Sequence, residues 1–405
     1  MISSTKFLKV VTVGIMCFVS VACMGHKKNQ FKPDEGLLMA IDRNFTDAAA
    51  QYKVMMGLLP DGMFPKTFEE NTLKTSLSKW WCSGFYPGTL LYIYENTKDK
   101  ALLTEAERAL KMLEKEQYNT NTHDLGFMMF CSFDNANRLH PREEYNDILV
   151  NSAKSLASRY TPNVECIRSW NSRNEGDDFV VIIDNMMNLE LLFWAAKYTN
   201  DRSFYDIAVK HADKTMKHHF REDYSTYHVV NYDSKTGGVK VQKTHQGFSD
   251  SSAWARGQAW ALYGYTLMYR ETQDKKYLQQ AEHIAEYILN HPNFPKDKIP
   301  YWDFDAPDIP NAYRDASAAA VMASAFLELC KYSHAASGEK YFRTAEDMLK
   351  VLSSDTYRAK PGTNGGFILE HSVGHLPAKS EVDVPLTYAD YYFVEAMKRY
   401  KDFKN

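Results

Sequence analysis

The amino-acid sequence predicts an all-α protein, a single domain that folds as an (α/α)6 barrel of six helical hairpins. Three observations support this fold class: the helical period of the apolar residues, the number of helices, and the alternation of short and long connections. Apolar residues recur with a helical period along nearly the whole chain, as they do in helices that bury one face. No Gly/Ser-rich or Pro-rich linker interrupts the 405-residue chain after about residue 35.

The periodicity predicts twelve helices, which make six hairpins when they are joined in sequence. The predicted helices span 36–57, 82–97, 101–117, 125–137, 142–159, 184–199, 202–219, 251–273, 275–291, 313–332, 337–353 and 386–401. An open helical solenoid is the alternative arrangement, but the chain shows no repeating consensus of the kind that solenoids display.

Short and long connections alternate along the chain, and the long ones carry most of the unusual polar residues. The short connections lie near 98–100, 138–141, 200–201, 274 and 333–336. The long ones are 58–81, 160–183, 220–250, 292–312 and 354–385, with 118–124 as one brief exception. Because a short connection makes antiparallel neighbours, all the long connections share one end of the bundle. Long structureless loops are usually functional, so we expect a cleft at that end.

Composition and charge narrow the class of function. The hydrophobic fraction of 44% and the charged fraction of 24% are those of an ordinary soluble globular protein. A net charge of −3 argues against nucleic-acid binding, but a few Arg and His side chains in a cleft suffice for an anionic small substrate. The 26 Tyr, 22 Phe and 7 Trp slightly favour a carbohydrate-binding protein, since aromatic rings stack on sugars, although they also fill helical cores.

The first residues have the pattern of an export signal. Lys6 and Lys9 form a positive n-region, and residues 10–21 are an apolar stretch too short to span a bilayer as a resident helix. The junction Ser-Val-Ala-Cys ending at Cys23 resembles a lipobox, in which the cysteine is lipidated after cleavage. A plain signal peptide with an incidental cysteine is the alternative.

This pattern divides the chain into a lipoprotein-type signal peptide (1–22), a tether (23–35) and the barrel domain (36–405). No acidic run follows Cys23, which favours an anchor that faces the periplasm. The membrane is thus expected as a partner only through the lipid.

Two aspartates stand where long connections run into predicted helices, and both are candidates for acid–base chemistry. Asp124 precedes the fourth helix, and Asp184 follows the apolar run 180–183 at the start of the sixth. The alternative for each is a helix N-cap, because Asp is a preferred capping residue. Apolar surroundings desolvate a carboxylate and raise its pKa toward the range of a general acid, which favours Asp184 in that role. Two carboxylates at one end of a helical ring are also typical of glycosidases.

The segment 244–260 brings further polar and aromatic residues to the same end. On a helix, Arg256 and Trp260 share a face, so that a cation and a flat ring point the same way. Arg can bind a carboxylate with two hydrogen bonds, although a buried Arg is also often a structural ion pair. Trp81 and Trp170 lie in or beside other long connections, where core packing is the alternative reading.

Other chemistries find little support in the chain. Cys82, Cys131, Cys166 and Cys330 are widely separated and define neither a metal site nor a disulfide framework, so we predict core cysteines. The 13 His show no zinc-ligand spacing. A Gly-rich phosphate loop, a Gly-x-Ser-x-Gly elbow and a His-Glu-x-x-His motif are all missing from the sequence.

Several of these motifs together resemble one family. The resemblance rests on Trp81 with Gly84-Phe85 and Pro87-Gly88, His123-Asp124-Leu125-Gly126-Phe127, Ile183-Asp184-Asn185-Met186-Met187-Asn188, His245-Gln246-Gly247, Ser249-Asp250, Trp254, Arg256-Gly257-Gln258-Ala259-Trp260 and Tyr388-Ala389-Asp390-Tyr391-Tyr392. In this order the chain resembles the unsaturated glucuronyl hydrolases of glycoside hydrolase family 88, whose fold is the (α/α)6 barrel.

The resemblance implies hydrolysis through hydration of a double bond. Such enzymes act on oligosaccharides made by polysaccharide lyases, whose terminal uronate has a double bond between ring carbons 4 and 5. They protonate carbon 4 and add water at carbon 5, after which the hemiketal opens and releases the remaining sugar. Asp184 is then the general acid and base, and Asp124 is a second carboxylate beside the ring. No metal or organic cofactor is implied.

The resemblance also implies a set of substrate-binding residues and leaves specificity open. The implied set is Trp81, Phe85, Trp170, His228, Gln246, Arg256 and Trp260. Gly374 stands where relatives more often have a bulky aromatic residue, which leaves the preference for sulfated or unsulfated substrates open. The alternatives are an unsaturated rhamnogalacturonyl hydrolase, which usually has Asn where Gln258 stands, and a non-catalytic sugar-binding lipoprotein.

Overall fold

A computed structural model describes residues 31–171 and 178–404 of the protein. The predicted signal peptide and Cys23 lie outside the described residues. The predicted tether meets the barrel earlier than expected, because Phe31 is buried and stacks on Phe342 with ring centroids 5.2 Å apart. No helix within these two ranges is long and apolar enough to cross a membrane.

Twelve α-helices follow one another in the described residues, and the predicted (α/α)6 barrel is confirmed. They are α1 (Glu35–Leu58), α2 (Phe85–Thr97), α3 (Lys100–Leu113), α4 (Asn135–Leu139), α5 (Glu143–Ala157), α6 (Leu189–Thr199), α7 (Arg202–His218), α8 (Ala255–Thr272), α9 (Lys275–Asn290), α10 (Ala316–Leu329), α11 (Ala335–Leu352) and α12 (Thr387–Lys401). The even-numbered helices follow one another around the ring, in which residues 126–134 just before α4 make the contact with α6, and contact between α12 and α2 closes the ring.

Inner and outer helices differ in composition because they differ in burial. Every residue of α10 is buried, and its run of alanines allows close approach to α8 and α12. Outer helices such as α3 and α9 bury a single apolar face and leave charged residues toward solvent. The helical period of the apolar residues, from which the fold was predicted, therefore arises from these buried faces.

Three of the short connections have the same turn structure and the same capping residue. The first helix of each hairpin ends on a residue in the left-handed conformation, and the next residue is an aspartate whose side chain accepts a hydrogen bond from the first turn of the outer helix. The three pairs are Lys98-Asp99, Asn200-Asp201 and Gln273-Asp274. Since these turns lie at one end of the barrel, the long connections lie at the other.

The long connections are not structureless, and in this the prediction was wrong. They contain antiparallel strands: β1 (Phe64–Glu69), β2 (Thr72–Ser76), β3 (Tyr160–Thr161), β4 (Cys166–Ile167), β5 (Phe179–Ile182), β6 (Val229–Tyr232), β7 (Val239–Lys243), β8 (Ser372–His375) and β9 (Ser380–Val384). Strands β5, β6 and β7 form one sheet that joins two long connections, with Ile182 opposite Val229. Hydrogen bonds between strands of different connections pair the backbone N–H and C=O groups of these segments. Such pairing cannot be predicted from the sequence of one connection alone.

Two predicted helices begin with irregular turns. The fourth starts as a π-helix (Gly126–Asp134) and the sixth as a 3-10 helix (Ile183–Asn188). The two starts are pressed together: a Cβ on Gly126 would lie 2.5 Å from Cα of Asn188, and Asn188 Oδ1 accepts a hydrogen bond from Phe127 N at 3.0 Å. This contact places the segments that carry Asp124 and Asp184 side by side.

The four cysteines of the barrel are free thiols, as predicted. Cys82, Cys166 and Cys330 are buried and Cys131 is half-buried. They contribute apolar volume to the core rather than crosslinks.

Candidate active site

Asp184 lies at the end of β5, where the chain enters the sixth helix of the barrel. Its side chain is 12% exposed, and the buried Oδ2 atom makes no hydrogen bond. Burial raises the pKa of this carboxyl to about 7, the Arg256 charge lowers it, and the Asp124 charge raises it. The apolar strand before Asp184 supplies the burial, as the sequence predicted. A carboxyl in this state can hold a proton near neutral pH.

His228 is the polar neighbour of Asp184. Its ring is fully buried, and its Nδ1 accepts hydrogen bonds from the backbone N–H groups of His245 (3.3 Å) and Gln246 (3.2 Å). The proton of the neutral ring is therefore on Nε2, which faces Asp184 Oδ2 at 3.6 Å. Burial holds the pKa of His228 well below its usual value, so the ring stays uncharged and leaves the proton on Asp184.

Asp124 lies immediately before the π-helix and is held by its neighbours in the chain. Its Oδ2 accepts a hydrogen bond from Thr122 Oγ1 at 2.5 Å, and its Oδ1 lies 3.3 Å from His123 Nε2. The cap positions of the two irregular helix starts are taken by Leu125 and Ile182, so neither aspartate is an N-cap. Both carboxylates are thus available to a ligand in the cleft.

Aromatic rings form one side of the site, in two layers. Trp81 is half-buried and contacts Tyr388 and Phe127 at ring-centroid distances of 4.9 and 5.5 Å. Phe85 and Trp260 are fully buried and pack on Phe127 from behind. Trp81 therefore forms the partly exposed face of this wall, and Phe85 and Trp260, two of the predicted substrate-binding residues, lie buried against Phe127.

Trp260 also lies beside the catalytic carboxyl. A polar contact from its indole lowers the pKa of Asp184, yet the buried Nε1 atom does not reach hydrogen-bond geometry with any partner. The indole N–H of Trp260 is thus near the carboxyl of Asp184 without a hydrogen bond to it.

The opposite side of the site is a row of rings. Trp170 is half-buried and lies 5.1 Å from the ring of His245, which in turn lies 4.6 Å from the ring of His375. His245 is exposed and His375 half-buried. His375 and Tyr388 were not among the predicted binding residues; only long-range packing brings them here.

Gln246, Arg256 and Gln258 make contacts with the protein itself. Gln246 Nε2 donates to the carbonyl of Gly374 at 2.9 Å. The Arg256 guanidinium is 1% exposed and pairs with Asp315 at 2.9 Å, which is the structural ion pair that the sequence left open. Gln258 is fully buried and bonds to the backbone of 224–226, so it holds the segment that carries His228 rather than a substrate.

Gly374 packs against the side chain of Glu381. A Cβ at this position would lie 2.4 Å from Glu381 Oε2, so the carboxylate fills the space that a larger residue would need. Glu381 Oε1 is paired with Lys66 at 3.1 Å. The rim of the cleft therefore carries a charged pair at the position where relatives more often have an aromatic side chain.

The fold and this site together define a class of protein. A ring of helical hairpins carries two carboxylates at one end, between aromatic and histidine walls, and one carboxyl is protonated near neutral pH. No cluster of three or more potential metal ligands is found within 31–171 and 178–404. Such an arrangement is that of a glycosidase.

Comparison with known proteins identifies the family. Residues 60–403 match Glycosyl Hydrolase Family 88, and the chain belongs to this family of glycosidases. An unsaturated glucuronyl hydrolase from Formosa agariphila is 43% identical over 399 residues, which cover 97% of this chain and 98% of the relative.

Solved structures agree with this assignment. The crystal structure of an unsaturated glucuronyl hydrolase specific for heparin is 49% identical, with a TM-score of 0.87 over 90% of this chain and 98% of that chain. A mutant of the Streptococcus agalactiae unsaturated glucuronyl hydrolase complexed with dGlcA-GalNAc6S is 28% identical, with a TM-score of 0.78 over 90% and 92% of the two chains.

Proposed function

We propose that this protein removes the unsaturated uronic acid from lyase-generated oligosaccharides by hydrating the double bond between ring carbons 4 and 5. The observation that carries the proposal is Asp184, a buried carboxyl with a pKa of about 7 that faces a neutral His228 and lies under the influence of the Asp124 charge. The relatives named unsaturated glucuronyl hydrolases support the release of an unsaturated uronic acid.

Asp184 first acts as the general acid. Its proton passes to carbon 4, the electrons of the double bond form the new C–H bond, and positive charge develops at carbon 5 and the ring oxygen. Asp124, which Thr122 and His123 hold in place beside the cleft, supplies the negative charge that stabilises this cation.

Asp184 then acts as the general base. The carboxylate left after the first step takes a proton from a water molecule, and the hydroxide adds at carbon 5. The resulting hemiketal opens to a ketone at carbon 5 and leaves a hemiacetal at carbon 1, which collapses to an aldehyde and releases the neighbouring sugar with a free hydroxyl. Asp184 thus returns to its protonated state in each cycle. The Nε2–H of the neutral His228 faces the Asp184 carboxyl and orients it without adding charge.

Glycosaminoglycan disaccharides are the proposed substrates. Trp81 and Trp170 provide half-buried aromatic surfaces on the two sides of the carboxylates, suited to stacking on a sugar ring. Gln246 is half-buried at the same place and offers its amide to an anionic or hydroxyl group. The relatives named for heparin and for chondroitin disaccharides support this substrate class.

A matched pair of substrates tests the reaction. We expect the purified protein to abolish the ultraviolet absorbance of unsaturated glycosaminoglycan disaccharides, while saturated disaccharides of the same linkage stay intact because they have no double bond to protonate. A protein that cleaves the saturated members equally well would be an ordinary glycosidase. If it cleaves neither set, the proposed reaction is wrong.

We further propose that the protein is anchored in the periplasm through a lipid on Cys23. The support is the lipobox-like junction at residues 20–23 and the entry of the chain at Phe31, close to the barrel end opposite the cleft. An anchor there leaves the cleft open to oligosaccharides.

The anchor predicts a defined effect of Cys23→Ala. Wild type should incorporate radiolabelled fatty acid and sediment with membranes, whereas Cys23→Ala should be unlabelled. Cys17→Ala, which alters another cysteine of the same leader, is the matched control and should keep the label. Equal labelling of wild type and Cys23→Ala would exclude the anchor.

A further inference from the structure

Arg256 is held in place by several groups of the protein. Its Nη1 donates to Asp315 Oδ2 (2.9 Å) and to the carbonyl of Val373 (2.6 Å), and its Nη2 donates to the carbonyl of Gly374 (2.7 Å). The guanidinium also lies 4.5 and 5.2 Å from the ring centroids of Trp254 and Tyr388. These contacts fix the position of the group.

Asp315 is the fully buried counterpart and binds the same strand. It is the N-cap of α10, and its Oδ1 accepts hydrogen bonds from Ser317 N at 3.0 Å and from Val373 N at 3.4 Å. The N–H and the C=O of Val373 are thus held by the two members of one ion pair. The pair connects α8 and α10 of the barrel to strand β8.

Strand β8 in turn leads to the catalytic carboxyl through a chain of contacts. The carbonyl of Gly374 accepts from Arg256 and also from Gln246 Nε2. The backbone N–H of Gln246 donates to His228 Nδ1, and His228 Nε2 faces Asp184. A displacement of β8 would therefore move Gln246 first and His228 after it.

We propose that Asp315 is a positioning residue: through its ion pair with Arg256 it latches strand β8 to the barrel and so holds Gln246 for the substrate. The inference rests on the proposed function. It keeps the substrate-binding role that the resemblance implies for Arg256 and adds the residue that holds Arg256 in place.

Asp315→Asn and Arg256→Lys test the latch, because both keep a similar volume and Arg256→Lys keeps the positive charge. We expect KM for an unsaturated disaccharide to rise about tenfold in each variant, because the loss of charged hydrogen bonds to β8 displaces Gln246 and weakens substrate binding. The value of kcat should change much less. Hydrogen–deuterium exchange of segment 370–384 should accelerate in both. Asp315 is buried behind Arg256, so a direct binding role cannot explain its effect.

Glu328→Gln is the matched control. Glu328 pairs with Arg270 between the same two helices, α8 and α10, at the end of the barrel opposite the cleft, so Glu328→Gln should lower the melting temperature without changing KM. Unchanged KM and unchanged exchange in Asp315→Asn would overturn the latch, as would a KM effect confined to Arg256→Lys. If Asp315→Asn does not fold, Arg256→Lys with the exchange measurement decides: normal exchange of 370–384 would refute the proposal. Failure of wild type on every unsaturated disaccharide would refute the proposed function instead.

Discussion

Asp184→Asn should reduce turnover by at least about ten thousand-fold while the barrel stays folded. The amide keeps the shape of the carboxyl but can neither deliver a proton to carbon 4 nor take one from water. General acid–base groups contribute about a hundred- to ten-thousand-fold, and here one residue serves both steps. The assay is the loss of ultraviolet absorbance of the unsaturated uronate. A folded variant that retains more than about a tenth of wild-type turnover would contradict the general-acid role.

The same substitution has a predictable effect on stability. Burial raises the pKa of Asp184 from 3.8 in an unfolded chain to about 7, so ionising it in the folded protein costs free energy. This cost is absent below the unfolded pKa and grows as the pH rises toward the folded one. The variant should therefore gain in melting temperature relative to wild type between pH 3.8 and about 7, and keep a constant advantage above that range. An advantage that does not depend on pH would show that Asp184 is not buried as a carboxyl.

Asp124→Asn should reduce kcat by about a hundred- to a thousand-fold, because it removes the charge that stabilises the cation at carbon 5. It should also change the pH profile. Wild-type activity is expected to fall above about pH 7, where Asp184 loses the proton it must donate. The Asp124 charge raises the pKa of Asp184, so its removal should move that alkaline limb to lower pH.

The control for this variant is Asp134→Asn, which removes a carboxylate from the far end of the same π-helix. Its activity and its alkaline limb should match those of wild type. Residual turnover of Asp124→Asn measured from pH 5 to 9 gives both effects in one experiment. An alkaline limb that stays in place would mean that the two carboxylates are not coupled.

Local patterns were enough to predict the barrel. A helix that buries one face repeats its apolar residues at the helical period wherever it occurs in the chain, so helices such as α9 were found almost to the residue. Errors lie where distant contacts intervene. The eighth helix was predicted from residue 251, but the backbone of residues 253–255 pairs instead with that of residues 302–304, and the helix starts at Ala255.

In the candidate site, too, local sequence patterns were sufficient for some residues and not for others. Asp124 and Asp184 were identified from their positions at loop-to-helix junctions, and the apolar strand before Asp184 correctly indicated a buried carboxyl with a raised pKa. Phe85 and Trp260 were grouped with Trp81 as binding residues, and the structure shows that these two rings are fully buried and pack on Phe127 while Trp81 is half-buried. A hydrophobic ring near a cleft looks alike in sequence whether it forms the surface or supports it.

By itself, then, the sequence determined the helices, the end of the barrel that carries the site and the two carboxylates, because each of these depends on neighbours in the chain. Only the tertiary structure decided what each polar group is bonded to. Arg256 pairs with a carboxylate 59 residues away and with a strand carbonyl 118 residues away, and no spacing within the segment 244–260 specifies either partner. The cost of burying a charge makes such a pairing obligatory, while its partner is chosen only when the helices pack.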